Sequence, residues 1–183
     1  MFALDGMTEA IRTERLLLRR PHAGDAEAMY SRYSRDPEVT RYLAWPAHRS
    51  VDETRRFLEF SDMEWQRWPA GPYLILSRDL GALLGTTGIA FETPYCASTG
   101  FALARDAWGK GYATEALLAM VQQAGRLGLR RLYALCHSEH RDSAHVLEKC
   151  GFVREGSLRR YMIFPNMHTN ESADVDCYAW IFD

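Results

Sequence analysis

The stretch that decides the fold covers residues 101–116 and reads FALARDAWGKGYATEA. A short apolar strand leads into a tight turn at Gly109 to Gly111, and the helix that follows has its apolar residues on one face: Ala113, Leu117, Met120, Val121, Ala124 and Leu127. Both glycines lack a Cβ, so backbone NH groups can approach a ligand closely. These NH groups are the free donors of a helix start, where the helix dipole adds positive charge and Lys110 adds more. The turn is therefore expected to hold a phosphate or diphosphate.

Two nucleotide-binding motifs fit this turn poorly. A dinucleotide-binding fingerprint would need a third Gly or Ala at Thr114 and an acidic residue about 20 positions later, near Arg131. A Walker loop needs Ser or Thr after its lysine, and Gly111 follows Lys110. An ordinary strand-to-helix connection remains the structural alternative.

Residues 108–116, WGKGYATEA, resemble the acyl-CoA loop of the GNAT superfamily of N-acetyltransferases, most closely its ribosomal-protein alanine N-acetyltransferase-like branch. The family pattern is Gln/Arg-x-x-Gly-x-Gly/Ala: Gly111 and Ala113 match, and Trp108 stands where Gln or Arg is usual. Residues 137–152, HSEHRDSAHVLEKCGF, resemble the second family signature, in which Asn-x-x-Ser precedes a helix that ends in Glu-Lys-x-Gly-Phe. Ser143 matches this signature, and His140 occupies the Asn position.

The resemblance implies a single-domain GNAT fold of the mixed α/β (α+β) class over residues 13–183, after an N-terminal extension over 1–12. Its central sheet would be mostly antiparallel, flanked by helices and splayed between the fourth and fifth strands, here 101–104 and 132–137. Acetyl-CoA, as co-substrate, would lie in that split. The implied cofactor-binding residues are Leu103, Ala104, Trp108, Gly109, Lys110, Gly111, Tyr112, Ala113, Thr114, His140, Ser143 and Lys149.

Acetyl transfer to an amine needs a proton for the departing thiolate. Ser143 lies at helical spacing from Val146, Leu147 and Cys150, so its hydroxyl shares the inward stripe of that helix. The resemblance implies that this hydroxyl faces the cofactor thiol and returns the proton. The alternative role for Ser143 is to cap the helix.

The acceptor amine, with a pKa of about 8 for an α-amine or about 10.4 for lysine, must lose a proton before it attacks. The branch often carries a Glu just before the Gly-Tyr of its fourth strand, but Ser98 and Thr99 precede Gly100 here. Glu92 is therefore the predicted base. A bound water is an alternative, and weaker candidates are His140, Tyr161 and His168.

The acceptor site is expected in the early helical region, which helps to form it in the resembling family. Tyr42 and Trp45 are the predicted substrate-binding residues, because they lie in an irregular segment where side chains can face a cleft. The neighbouring aromatic residues Phe57, Trp65 and Trp68 are expected to pack in the core.

Periodicity and turn residues predict the other elements. The predicted strands cover 15–20, 73–77, 83–91, 98–104, 131–137, 152–158 and 174–182, and the predicted helices cover 24–36, 50–68, 113–127 and 141–149. A capping box, Ser50 with Glu53, starts the second helix, and Gly151 closes the last one in a left-handed conformation.

Composition bounds the class of protein. The 183 residues are 47% hydrophobic and 25% charged, which favours one globular domain. A net charge of -2 gives no basis for nucleic-acid binding, and no apolar run is long enough to span a membrane. Acidic residues near the amino terminus, Asp5 and Glu9, argue against a signal peptide and predict a cytoplasmic protein.

The four cysteines (Cys96, Cys136, Cys150 and Cys177) form no disulfide or zinc pattern and are expected to be buried free thiols, with no metal bound.

The sequence thus predicts an N-acetyltransferase that moves an acetyl group from acetyl-CoA to a primary amine by direct attack in a ternary complex. The acceptor would be a protein N-terminal α-amine or a small-molecule amine, and the protein a monomer or homodimer. Three alternatives stay open: a non-catalytic CoA-binding or interaction module, a transferase of succinyl-CoA or another acyl-CoA, and a nucleotide-binding oxidoreductase.

Overall fold

The computed structural model describes residues 9–167, 169 and 171–183. Within these residues the strands are β1 (Ala10–Arg12), β2 (Leu16–Arg19), β3 (Pro72–Ser77), β4 (Leu83–Thr93), β5 (Cys96–Leu103), β6 (Arg131–His137), β7 (Val153–Met162) and β8 (Ala173–Ile181). The α-helices are α1 (Ala26–Met29), α2 (Pro37–Thr40), α3 (Val51–Arg67), α4 (Tyr112–Arg126) and α5 (Arg141–Lys149). Short 3-10 turns cover Ala23–Asp25 and Arg105–Ala107, and a π-helical turn covers Tyr30–Ser34.

The strands form one sheet in the order β1-β2-β3-β4-β5-β6-β8-β7. Every neighbouring pair is antiparallel except β5 and β6, which are parallel. The predicted mixed, mostly antiparallel sheet is therefore confirmed. Counted from Leu16, β5 and β6 are the fourth and fifth strands, since β1 is an extra three-residue strand that pairs with β2. This strand lies inside the predicted N-terminal extension 1–12, of which residues 1–8 fall outside the described residues.

Successive side chains of each strand point to opposite faces of the sheet, so the core is divided between the two faces. On one face, strand residues such as Ile75 and Leu132 pack in a cluster with Leu117 and Met120 of α4 and Leu147 of α5. On the other face, a second cluster joins the first helical region and α3 to the sheet through Met29, Tyr33, Val39, Leu58, Leu74 and Ala102. Each face of the sheet is thus covered by helices, and the two faces can serve different ligands.

The first helical region differs from the single helix predicted over 24–36. It consists of a 3-10 turn, α1, a π-helical turn and then α2, a helix that was not predicted. Pro37 occupies the first turn of α2 and the Asp36 carboxylate accepts from the Glu38 backbone NH at 2.9 Å, so a residue expected to end a helix begins one. The five-residue π-helical turn carries Tyr33 and Ser34 to the inside of the fold.

Two local predictions at element ends were also incomplete. Ser50 is the N-cap of α3, but its side chain makes no capping bond, and the Glu53 carboxylate accepts from the Arg49 backbone NH at 2.7 Å instead. Strand β7 continues past the predicted end at 158 to Met162, because Arg160 adopts a φ of 48° and the pairing with β8 shifts register there. Gly151, by contrast, has the predicted left-handed conformation at φ 85°.

Candidate active site

A gap opens in the sheet between β5 and β6. The two strands pair only where Cys96 to Ser98 meet Arg131 to Tyr133. Beyond the Ser98–Tyr133 pair they diverge, so residues 99–103 and 134–137 are not paired with each other across the gap, although each segment pairs with its other neighbour in the sheet. The backbone NH and C=O groups along these inner edges are therefore available to a ligand that enters the gap. The closed end of the gap lies at Ser98 and the open end lies where β5 runs into the glycine turn.

The glycine turn presents free backbone donors at that open end. Gly109 and Gly111 have φ values of 70° and 79°, which L-residues with a side chain seldom adopt, and Gly111 is the N-cap of α4. Within the described part of the chain, the NH groups of residues 109–114 donate no hydrogen bond to a protein acceptor. A helix start with free NH groups and a neighbouring lysine, Lys110, has the donors and the charge that suit a phosphate or diphosphate.

An ion pair ties this turn to the segment between β1 and β2. Glu115, in the first turn of α4, accepts from the Thr13 hydroxyl at 2.6 Å, the Arg15 backbone NH at 2.8 Å and the Arg15 Nε at 2.7 Å. Arg15 Nη1 also donates to the Lys110 carbonyl at 2.8 Å. Burial raises the pKa of Glu115, but these hydrogen bonds outweigh burial and lower it on balance. The ion pair with Arg15 thereby offsets the charge of the Glu115 carboxylate beside the turn, and Arg15 holds the turn in place.

Trp108 supports the same turn from the strand side. Its indole Nε1 donates to the Leu103 carbonyl at 2.7 Å, and 46% of the residue is exposed. Trp108 therefore anchors the turn to the end of β5, and the exposed part of its side chain is accessible to a ligand.

Helix α5 brings the second signature to the gap. Ser143 is half-buried in the first turn, and His140 is the N-cap residue, whose side chain makes no capping bond. Its hydroxyl lies beside the buried thiol of Cys136 on β6, whose pKa is raised by burial and lowered in part by the Ser143 hydrogen bond. Ser143 thus faces the strand that forms one wall of the gap.

The far end of α5 approaches the glycine turn. Cys150 Sγ lies 3.5 Å from the carbonyl oxygen of Thr114 in the first turn of α4. The neighbouring residue Lys149 is exposed. This contact brings the C-terminal end of α5 close to the first turn of α4.

A cavity of about 620 Å³ lies on the sheet face opposite α4, against the inner strands. Both predicted acceptor residues, Tyr42 and Trp45, line it. Tyr42 also stacks on His140 with ring centroids 4.6 Å apart, which joins the cavity wall to the start of α5. Burial lowers the pKa of His140. Other rings in the lining are Tyr33, Phe57, Phe60, Phe101 and Phe164. Phe57 also packs against the second core cluster and Trp65 is fully buried, both as predicted.

The carboxylate predicted as the base, Glu92, lies outside the cavity lining, and another carboxylate lines the cavity. Glu92 is exposed at the end of β4, accepts a hydrogen bond from the Tyr133 hydroxyl and does not line the cavity. Glu64 on α3 is the one carboxylate among the described residues that line it. No local motif marks Glu64 in the sequence. Its side chain reaches the cavity because α3 packs against the sheet with this face inward. Of the weaker candidates, Tyr161 is exposed on β7, and His168 lies outside the described residues.

All four cysteines are free thiols: Cys136 and Cys150 are buried, and Cys96 and Cys177 are half-buried. In the ranges that the structure describes, no group of three or more His, Cys, Asp or Glu side chains could hold a metal ion. The helices of those ranges are also too short or too polar to cross a membrane.

Comparison with known proteins adds independent findings. The model of the acetyltransferase (GNAT) domain family matches residues 15–153. The chain is 31% identical to the uncharacterized N-acetyltransferase YoaA of Bacillus subtilis over 159 residues, which cover 85% of this chain and 89% of YoaA. It also superposes on a GNAT-family acetyltransferase from Bacillus anthracis with a TM-score of 0.82 and 26% identity over 94% of this chain and 98% of that one. RimL, a ribosomal L7/L12 alpha-N-protein acetyltransferase in complex with coenzyme A, shares the fold with a TM-score of 0.85 and 24% identity over 96% and 99% of the two chains.

Proposed function

Because the chain belongs to the GNAT family and is an acyl-CoA-dependent N-acetyltransferase, we propose that it acetylates a primary amine bound in the 620 Å³ cavity, by direct attack on acetyl-CoA held in the gap between β5 and β6. One observation carries this proposal. The only parallel strand pair in the described sheet opens beyond Ser98 and Tyr133, and the free NH groups of residues 109–114 stand at its open end.

Different residues around the gap would bind the diphosphate, the acyl-bearing arm and the thioester of acetyl-CoA. The NH groups from Gly109 to Thr114 would hold the diphosphate, with the charges of Lys110 and Lys149 nearby. The acyl-bearing arm would run from Ala104 and Leu103 toward the closed end, and pair with the open backbone edge of β5 as a strand would. A backbone NH of that edge would also stabilise the thioester oxygen as it becomes negative.

Ser143 is the proposed general acid. Its hydroxyl lies next to Cys136 on the wall of the gap, and a thiolate that leaves coenzyme A there would take its proton. His140 would contact the cofactor arm through its ring, which Tyr42 holds by stacking.

Two carboxylates can serve as the general base. Glu64 is the first choice, because it lines the cavity in which the amine would lose its proton. Glu92, the residue predicted from the sequence, lies on β4 two residues beyond Ala90, which pairs with Ser98 at the closed end of the gap. A water between Glu92 and the amine would be needed there. Glu64→Gln and Glu92→Gln distinguish the two, since loss of the base lowers kcat most at low pH and leaves acetyl-CoA affinity unchanged.

Calorimetry and a thiol-release assay test the proposal together. We expect acetyl-CoA to bind and coenzyme A to be released only when an amine is added. Binding without release for any amine would indicate a non-catalytic CoA-binding module instead. Parallel titrations with succinyl-CoA and NAD(P) test the other two alternatives, and binding of NAD(P) in place of acetyl-CoA would refute the assignment of the gap.

The location, oligomeric state and partners of the enzyme are inferred from its cysteines and its net charge. We propose a cytoplasmic monomer or homodimer with no nucleic-acid partner, supported by four free thiols and a net charge of -2.

A further inference from the structure

One side-chain amide joins two segments around the 620 Å³ cavity that lie far apart in the sequence. Asn166 lies in the connection between β7 and β8. Its Nδ2 donates to the Thr40 carbonyl at 2.7 Å and to the Trp45 carbonyl at 2.8 Å. Its Oδ1 accepts from the Ala47 backbone NH at 2.7 Å. The amide thus uses its nitrogen and its oxygen in three bonds that span 119 to 126 positions of the chain.

The segment that these bonds hold, residues 40–48, forms one side of the cavity. Tyr42, Trp45 and His48 are among its lining residues, and no helix or strand forms between the end of α2 and the start of α3. In the described part of the chain, the backbone of residues 42–47 makes no hydrogen bond outside the segment except those to Asn166. The position of the segment therefore depends on this amide and on side-chain packing, such as the stacking of Tyr42 on His140.

The turn that carries Asn166 is itself fixed in the fold. Phe164 is 4% exposed, lines the cavity and meets the His137 ring edge to face, with centroids 4.8 Å apart. The Met167 backbone NH donates to the Phe164 carbonyl at 3.1 Å, which closes a turn around Pro165 and Asn166. Asn166 therefore projects from a turn whose first residue is buried in the cavity wall, and it can hold the irregular segment against that wall.

We propose that Asn166 is a positioning residue of the acceptor site, which holds the side chains of Tyr42 and Trp45 against the acceptor amine. This inference rests on the proposed function. Asn166 does not line the cavity, so it acts through the segment that it binds and not by contact with the acceptor. When the segment is released, the binding-competent arrangement is populated for only a fraction of the time, and the apparent affinity for the acceptor falls by that fraction.

The amide group suits this role better than other side chains of similar size. A carboxylate in its place has no hydrogen for the carbonyls of Thr40 and Trp45, and an aliphatic side chain satisfies none of the three backbone groups. Asn166→Asp keeps the shape and the bond from the Ala47 NH but turns two attractive contacts into repulsive ones. Asn166→Ala removes all three bonds without adding a charge.

Both variants are tested in the whole enzyme at saturating acetyl-CoA. The probe is the acceptor with the highest rate of thiol release in a panel that includes phenethylamine, spermidine and an Ala-initiated hexapeptide. We expect kcat/KM for this acceptor to fall by about 5- to 100-fold in each variant, as for the loss of two or three hydrogen bonds. The dissociation constant of acetyl-CoA from calorimetry should change by no more than about 3-fold, because the acyl-CoA gap keeps its own contacts.

A double-mutant cycle separates positioning from general destabilisation. If Asn166 acts through Trp45, then Asn166→Ala should lower the acceptor kcat/KM by no more than about 3-fold in a Trp45→Ala background. Arg78→Met is the matched control. The Arg78 guanidinium also binds two carbonyls, those of Thr13 and Glu14 at 2.6 and 3.0 Å, but Arg78 does not line the cavity. This variant should keep the acceptor kcat/KM within about 2-fold of the wild-type value.

Two results would overturn the inference and leave the transferase intact: an unchanged acceptor kcat/KM in both Asn166 variants, or losses in Asn166→Ala and Trp45→Ala that multiply in the double variant. An equal loss in Arg78→Met would also refute it, because the effect would then follow from loosening of the fold anywhere. Binding of acetyl-CoA with no thiol release for any amine or peptide would remove the proposed function and this inference with it.

Discussion

The proposed phosphate site at Gly111 can be tested with two substitutions of nearly equal shape. Gly111→Asp and Gly111→Asn both introduce a residue that tolerates a positive φ, and either Cβ would lie 3.3 Å from Arg15 Nη2, so strain and contact are the same in both. They differ by one negative charge beside the diphosphate. A unit charge pair at about 4 Å is worth about 1 kcal/mol in water and about 4 kcal/mol in a partly buried site.

The Asp variant should therefore bind acetyl-CoA about 5-fold to several hundred-fold more weakly than the Asn variant, at 1.4 kcal/mol for each factor of ten. Arg15 partly neutralises the new carboxylate, which favours the lower part of this range. Calorimetry at low ionic strength measures both affinities, and the difference should shrink as salt screens the charges. Equal dissociation constants for the two variants at low salt would refute the placement of the diphosphate at this turn.

Three further predictions concern the acid, the core and the response to pH. Ser143→Ala should lower the rate of thiol release at saturating acetyl-CoA by about 10²- to 10⁴-fold; an unchanged rate would exclude Ser143 as the acid. Leu147→Ala, at a residue 1% exposed, should lower the free energy of unfolding by urea by about 2–5 kcal/mol, whereas Leu118→Ala, at a residue 40% exposed, should change it by about 0.5 kcal/mol or less. Because burial lowers the pKa of His48, the unfolded chain binds its proton more readily, and stability should fall as pH drops below about 6.5, by at most about 1.4 kcal/mol per pH unit. His48→Gln should flatten this slope in urea titrations from pH 7 to 5, and an unaltered slope would contradict the role of His48.

The parts of the fold that the sequence predicted correctly depend on short-range chemistry. Gly109 and Gly111 have the left-handed conformations expected of them, because only glycine takes such φ values without strain. The order of strands and helices followed from apolar periodicity, which is a local property of each element. Tyr42 and Trp45 lie on the cavity as expected of aromatic residues in an irregular segment, although their binding role remains a prediction.

The predictions that failed concern how one element meets another. The helix over 24–36 has good local helical periodicity, yet it widens into a π-helical turn that carries Tyr33 into the cavity. Glu92 as the base stays a prediction, and only the packing of α3 brings a second candidate, Glu64, to the cavity.

By itself the sequence determined the acyl-CoA loop motif and the second family signature, the sheet-forming segments and the glycine turn with its free donors, because each depends on residues a few positions apart. Only the tertiary structure decided that β5 and β6 separate after Ser98, that Arg15 pairs with Glu115 across 100 residues, and that Tyr33 and Glu64 share one cavity. The physical reason is that periodicity states which face of an element is apolar, while the partner that covers this face is chosen by packing among all the elements together.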